Sequence, residues 1–229
     1  MSYIEMKNSY KIYNECKKNE IIANNDISFA IEKGELAIIL GNSGAGKSTI
    51  LNILGGMDQY QGAGNYRWKG YSNYNKRQLT EYRRNDVGFI FQFYNLVQNL
   101  TSKENIELAS EIVEDALNPE KVLEDVGLKK RMNNFSAELS GGEQQRVAIA
   151  KNPKILLCDE PTGALDYQTG KQVLKILQNM SRESNATVVI VTHNSAIDPI
   201  ADRVIHIRNA QVSDIKTNPN PKDIIGLEW

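Results

Sequence analysis

Five consecutive apolar residues, Leu36-Ala37-Ile38-Ile39-Leu40, run straight into Gly41-Asn42-Ser43-Gly44-Ala45-Gly46-Lys47-Ser48. This junction constrains the chain more than any other stretch. An unbroken apolar run reads as a strand buried on both faces. Beyond the glycines, Ser48-Thr49-Ile50-Leu51-Asn52-Ile53-Leu54 carries helical spacing and stops at Gly55-Gly56. A strand, a glycine loop and a helix in that order turn backbone N–H groups inward at a helix N-terminus, which favours phosphate oxygens. The octapeptide fits G-x-x-x-x-G-K-[ST]. In that frame Lys47 reaches the β- and γ-phosphates, and the Ser48 hydroxyl can ligate Mg²⁺. By itself the loop specifies a nucleotide and no particular chemistry.

Three further apolar runs repeat the buried-strand signal: Ile155-Leu156-Leu157-Cys158, Val188-Val189-Ile190-Val191 and Val204-Ile205-His206-Ile207. The first ends in Asp159-Glu160, the second in Thr192-His193. A helix is expected over 167–183. Strands alternating with helices indicate an α/β fold with a mostly parallel sheet, whose ligands bind beyond the carboxyl ends of the strands. Residues 60–90, rich in Tyr, Asn and Lys, show weak periodicity and read as strands or loops. Residues 102–126 alternate charged and apolar positions at helical spacing, which predicts a small helical subdomain.

The 229 residues suit one sizeable domain, and 41% hydrophobic with 24% charged residues is ordinary for a chain with a real core. A net charge of −1 gives no basic field for nucleic acid. Arg83-Arg84 and Lys129-Lys130-Arg131 are short enough to be solvated faces. Cys16 and Cys158 are far apart and lack metal spacing, so a reducing compartment fits, with Cys158 a small core residue. The N-terminus lacks the layout of a signal peptide, and no stretch approaches the ~20 apolar residues of a membrane helix. If the protein works at a membrane, another chain is expected to supply the spanning part.

Leu139-Ser140-Gly141-Gly142-Glu143-Gln144-Gln145-Arg146 narrows the reading. Ser140 and the N–H groups of Gly141 and Gly142 open a helix, which makes a second place for an anion. This octapeptide, downstream of the glycine loop and just before a buried strand, resembles the ABC signature, and the chain is similar to ABC ATPase subunits over essentially its whole length. The motifs fall in family order: Tyr13, Gly41–Thr49, Gln92, Leu139–Glu143, Ile155–Glu160 and His193. The resemblance implies a P-loop ABC ATPase with a mostly parallel core sheet, an N-terminal antiparallel β subdomain and a small α-helical subdomain. One domain over 1–229 is expected, with the nucleotide-binding core and β subdomain in 1–92 and 152–229 and the helical subdomain in about 93–151.

The same resemblance assigns roles. Gly41, Asn42, Ser43, Gly44, Ala45, Gly46, Lys47, Ser48 and Thr49 would hold ATP in one copy. Ser140, Gly141, Gly142 and Glu143 of a second copy would cap its γ-phosphate. Ser48, Gln92 and Asp159 would hold Mg²⁺. Glu160 would polarise the attacking water, His193 would contact the γ-phosphate and sense its loss, and Gln92 would relay nucleotide state to the permease contact. Tyr13 would stack on adenine through its π face, with Tyr10 as the alternative. Pro161-Thr162-Gly163-Ala164-Leu165-Asp166 resembles the D-loop that crosses the dimer interface.

LNILGGMD, VGFIFQFYNL and CDEPTGALD resemble the branch that includes lipoprotein-releasing, macrolide-efflux and bacitracin-type systems. That implies an ATP-hydrolysing homodimer on the inner face of the cell membrane, docked on an FtsX-like permease, with an accessory protein able to join. A coupler that drives a cell-wall hydrolase through a membrane partner fits the same motifs. Ribosome- or DNA-acting forms would bring two cassettes or long coiled coils, and a small-molecule kinase has no role for LSGGEQQR. One departure stands out. Val147-Ala148-Ile149-Ala150 runs directly into Lys151-Asn152-Pro153, about four residues short of the family pattern, or ~6 Å of helix. Either the helix behind the signature is shortened, or natural residues are absent from this sequence; a Cα separation wider than ~3.8 Å between Ala150 and Lys151 would mark an omission.

Overall fold

The computed structural model describes residues 2–61, 74–91, 96–110, 118–149 and 153–228. Its centre is a sheet with the order β4-β5-β6-β3-β7-β8, where β3 is Leu36–Leu40, β4 Val87–Ile90, β5 Ile155–Asp159, β6 Thr187–Thr192, β7 Arg203–Arg208 and β8 Gln211–Thr217. The first five of these pair in parallel, and β8 returns antiparallel to β7. All four apolar runs are strands. The reason is visible in the packing. Ala37, Ile39, Leu157, Val189 and Val191 face one apolar cluster, while Leu36, Ile38, Leu40, Leu156, Cys158, Val188 and Ile190 face another. Period-two alternation with both faces covered produces an uninterrupted apolar run.

The first cluster is closed by α1 (Lys47–Leu54) and by the N-terminal antiparallel pair, β1 (Ile4–Tyr13) with β2 (Ile21–Ile31). The second is closed by α6 (Tyr167–Glu183), which buries Val173, Leu174 and Leu177 completely. Asp166 caps α6, its carboxylate accepting from the Thr169 amide at 3.1 Å. A third cluster gathers Ile106 of α3 (Ser102–Ser110), Val122 and Leu123 of α4 (Pro119–Asp125), and Val147 and Ala148 of α5 (Gly141–Ile149). Of these, α3 and α4 lie within residues 102–126, where helical spacing was expected.

One expectation is corrected. Within residues 60–90, α2 spans Lys76–Asn85. None of its residues is fully buried, so the helical period leaves little trace in the apolar pattern. The local signal is a capping box instead: the Asn75 side chain accepts from the Gln78 amide at 3.0 Å, and the Gln78 side chain accepts from the Asn75 amide at 2.9 Å. Val87–Ile90 then forms β4 as a strand reading requires. The junction between Ala150 and Lys151, and Gln92, lie outside the described residues.

Candidate functional site

Strand register alone assembles most of the site. Leu40 pairs with Thr192, and Asp159 pairs with Val191. The glycine loop after β3, Glu160 after β5 and His193 after β6 therefore leave three adjacent strands at the same carboxyl edge.

The loop holds its shape through close approaches that a side chain would block. A Cβ on Gly41 would stand 2.5 Å from the Ile207 carbonyl oxygen, and one on Gly46 would collide with the Ala23 carbonyl. Gly46 also sits at φ 98° in the left-handed region, as the residue just before α1. The Ala45 amide donates to the Asn42 carbonyl at 3.2 Å, and the Gly41 amide to the Thr192 carbonyl at 3.3 Å. Lys47 is 7% exposed, and its Nζ donates to the Asn42 carbonyl at 2.9 Å, folding the ammonium back over the loop. A lysine folded over a glycine loop at a helix N-terminus suits a phosphate group.

Asp159 lies beneath the loop. Burial pushes its carboxyl above the usual range, and the charge of Glu160 pushes the same way, while a hydrogen bond from Ser48 and the charge of Lys47 oppose. A hydroxyl and a carboxylate in direct contact are hard oxygen donors, and they fit Mg²⁺ better than a softer metal. Glu160 stands next, with φ 48°. The Thr192 hydroxyl donates to its Oε2 at 3.0 Å and itself accepts from the Asn194 amide at 3.1 Å. His193 Nδ1 is 2.7 Å from Oε1. The histidine side chain is 69% exposed, so its other edge is open to a ligand.

Tyr13 ends β1 beside α1. Its hydroxyl donates to Asp58 Oδ2 at 2.5 Å, and Thr49 hydrogen-bonds the same side chain. Tyr10 turns elsewhere: its hydroxyl is paired with Asp26, and its amide donates to the Gln61 carbonyl at 2.7 Å. The structure therefore brings Tyr13, the glycine loop, Asp159, Glu160 and His193 around the two ends of α1. Thr192 and Asp58 join them without having been expected. Thr192 was legible as the polar end of an apolar strand; Asp58 had no motif to announce it.

Ser140–Glu143 stand apart, on the helical cluster. The Ser140 amide and hydroxyl both donate to Glu143 Oε2, at 2.8 and 3.0 Å, and Arg131 Nε meets Oε1 at 3.0 Å. Burial pushes the Glu143 carboxyl up, yet the Ser140 hydrogen bonds and the Arg131 charge outweigh it and hold the carboxyl below the usual range. A Cβ on Gly142 would collide with the Thr169 methyl, so α5 packs on the start of α6 only with glycine there.

A family model described as ABC transporter matches residues 24–163. The chain is 41% identical to the putative ABC transporter ATP-binding protein MG065 homolog of Mycoplasma pneumoniae, covering 99% of this chain and 50% of that protein. It is also 41% identical to the macrolide export ATP-binding/permease protein MacB of Neisseria gonorrhoeae, covering 96% of this chain and 35% of that protein. The chain thus spans about half the length of the first relative and about a third of the second. Among solved structures, the dimeric ATP-binding cassette MJ0796, in a post-hydrolysis state bound to ADP and Pi, superposes with a TM-score of 0.81 at 33% identity, over 93% of this chain and 98% of that one.

Proposed function

This chain belongs to the ABC transporter family, as its ATPase domain, and from that premise we propose that two copies close head to tail on two Mg-ATP and so drive a separate FtsX-like permease. The observation that carries the reading is the seat of Glu160. Its carboxylate is fixed by Thr192 and His193 one strand away from the glycine loop.

The loop amides and Lys47 take the β- and γ-phosphates, and Tyr13 takes the adenine. Ser48 and Asp159, with Gln92, hold Mg²⁺, which when bound neutralises charge on the β- and γ-oxygens. Glu160 orients a water for in-line attack on the γ-phosphorus and accepts its proton. His193 contacts the γ-phosphate with its open edge and loses that contact on hydrolysis. Ser140, Gly141, Gly142 and Glu143 of the second copy cap the γ-phosphate from the opposite side. The core with its β subdomain is taken as 1–92 and 152–229, and the helical subdomain as about 93–151. Binding energy released on closure moves the partner, and hydrolysis reopens the pair.

The permease assignment is supported by the likeness to MacB, named as an export protein with its own permease part, and by LNILGGMD, VGFIFQFYNL and CDEPTGALD. Among the described residues no helix is long and apolar enough to cross a membrane. In this proposal the domain works on the cytoplasmic face through its partner, moving peptide, drug or lipoprotein-like cargo. Glu160→Gln tests the core of this reading. It removes the proton acceptor while keeping size, so hydrolysis should fall at least ~100-fold. ATP should stay bound, and size-exclusion chromatography with Mg-ATP should show a dimer. Wild-type turnover in the variant would dismiss Glu160 as base, and a strictly monomeric ATP-bound form would dismiss closure.

A further inference from the structure

Asp58, just beyond α1, accepts three hydrogen bonds through its carboxylate. Oδ1 accepts from Lys11 Nζ at 2.5 Å and from the Gln59 amide at 2.9 Å, and Oδ2 accepts from the Tyr13 hydroxyl at 2.5 Å. Lys11 is pinned as well: its Nζ also donates to the Gln59 carbonyl at 2.7 Å and stands 4.9 Å from the centroid of the Tyr13 ring. Both side chains are mostly covered, with 17% of Lys11 and 24% of Asp58 exposed. Three partners commit this carboxylate to the chain's own groups. What it does is hold a ring still.

We propose that Asp58 and Lys11 are positioning residues that fix Tyr13 as a platform for the purine base of a nucleoside triphosphate. This rests on the reading of Tyr13 as the stacking residue. The hydroxyl edge is anchored by Asp58 and Thr49. One face carries the Lys11 ammonium, a cation–π contact that draws electron density from the ring and leaves the opposite face for an electron-rich base. The anchor is also tied to the phosphate end. The Met57 and Asp58 amides donate to the Asn52 carbonyl, at 2.9 and 3.2 Å, so Asp58 is mounted on the C-terminal end of α1 while Lys47 opens its N-terminal end. Base platform and phosphate loop are thereby held at a set distance by one short helix. A tyrosine already immobilised loses little freedom when the base arrives, which raises affinity without any new contact.

The test separates base from phosphate. Calorimetric titration with Mg-ATP and with inorganic tripolyphosphate is run on the wild type, Tyr13→Ala, Asp58→Ala, Asp58→Asn and Lys11→Met. Tyr13→Ala should weaken ATP by about tenfold or more and leave tripolyphosphate unchanged, as loss of a stacking partner predicts. Asp58→Ala and Lys11→Met should each weaken ATP by about three- to tenfold, again sparing tripolyphosphate. Asp58→Asn, which keeps one acceptor, should recover part of the loss. If Tyr13→Ala leaves the ATP-to-tripolyphosphate ratio unchanged, the stacking reading itself falls, and the proposal with it. If Tyr13→Ala lowers that ratio and Asp58→Ala does not, only the positioning role is overturned. Equal weakening of both ligands by Asp58→Ala would show that it merely supports α1, and would overturn the role too.

Discussion

Asp159 is held at odds with its surroundings. Burial raises its proton affinity above that of an unfolded aspartate, so the folded, nucleotide-free chain binds a proton where the unfolded chain does not. Stability in that state must then fall as pH climbs from the ordinary carboxylate range through the raised value. Asp159→Asn removes the charge. In urea titrations without Mg²⁺, the variant should be more stable than wild type at pH 7, with the gap closing toward pH 4, while its hydrolysis falls at least ~100-fold. A wild type as stable as the variant at pH 7 would contradict this. The fold thus tolerates the buried Asp159 carboxylate at a cost.

At the scale of elements, α6 shows why parts of the chain were readable. Its apolar positions Val173, Leu174, Leu177 and Met180 recur at helical spacing because they pack on one face of the sheet. Leu177→Ala should cost about 2–5 kcal/mol in urea unfolding and leave ATP affinity of the folded protein unchanged. Strands with both faces covered were equally plain, and the glycine loop was plain because its backbone tolerates nothing else at Gly41 and Gly46. α2 was hidden because it buries nothing fully; its capping box, the Arg77–Glu81 pair and the basic last turn are the marks it leaves. The grip of Thr192 on Glu160 depends on the pairing of β5 with β6, which a linear reading does not supply. The Lys11–Asp58–Tyr13 cluster joins positions 47 and 45 residues apart without a motif, so only the folded chain reveals it.

On the proposed reading, the whole molecule presents two half-sites. The glycine loop and Glu160 belong to the sheet, whereas Ser140 sits on the helical cluster with its hydroxyl occupied by its own Glu143. If each reaction centre is shared between copies, two dead variants with defects in different halves should complement. Lys47→Ala lacks the phosphate grip, and Ser140→Arg blocks the cap. Each alone should hydrolyse almost nothing. A mixed pair contains one intact centre, so an equimolar mixture with random pairing should recover about a quarter of wild-type turnover, as two-fold symmetry dictates. A mixture as inactive as its components would mean that the copies do not share centres.

The left-handed backbone at Glu160, φ 48°, has a bearing on how this enzyme can be altered. That conformation costs an ordinary residue roughly 1–2 kcal/mol, and glutamine bears it to the same degree as glutamate. On the proposed reading, an amide in place of the acid would therefore silence the reaction without easing the chain. Glycine at that position would do both at once, confounding loss of a proton acceptor with release of a local tension.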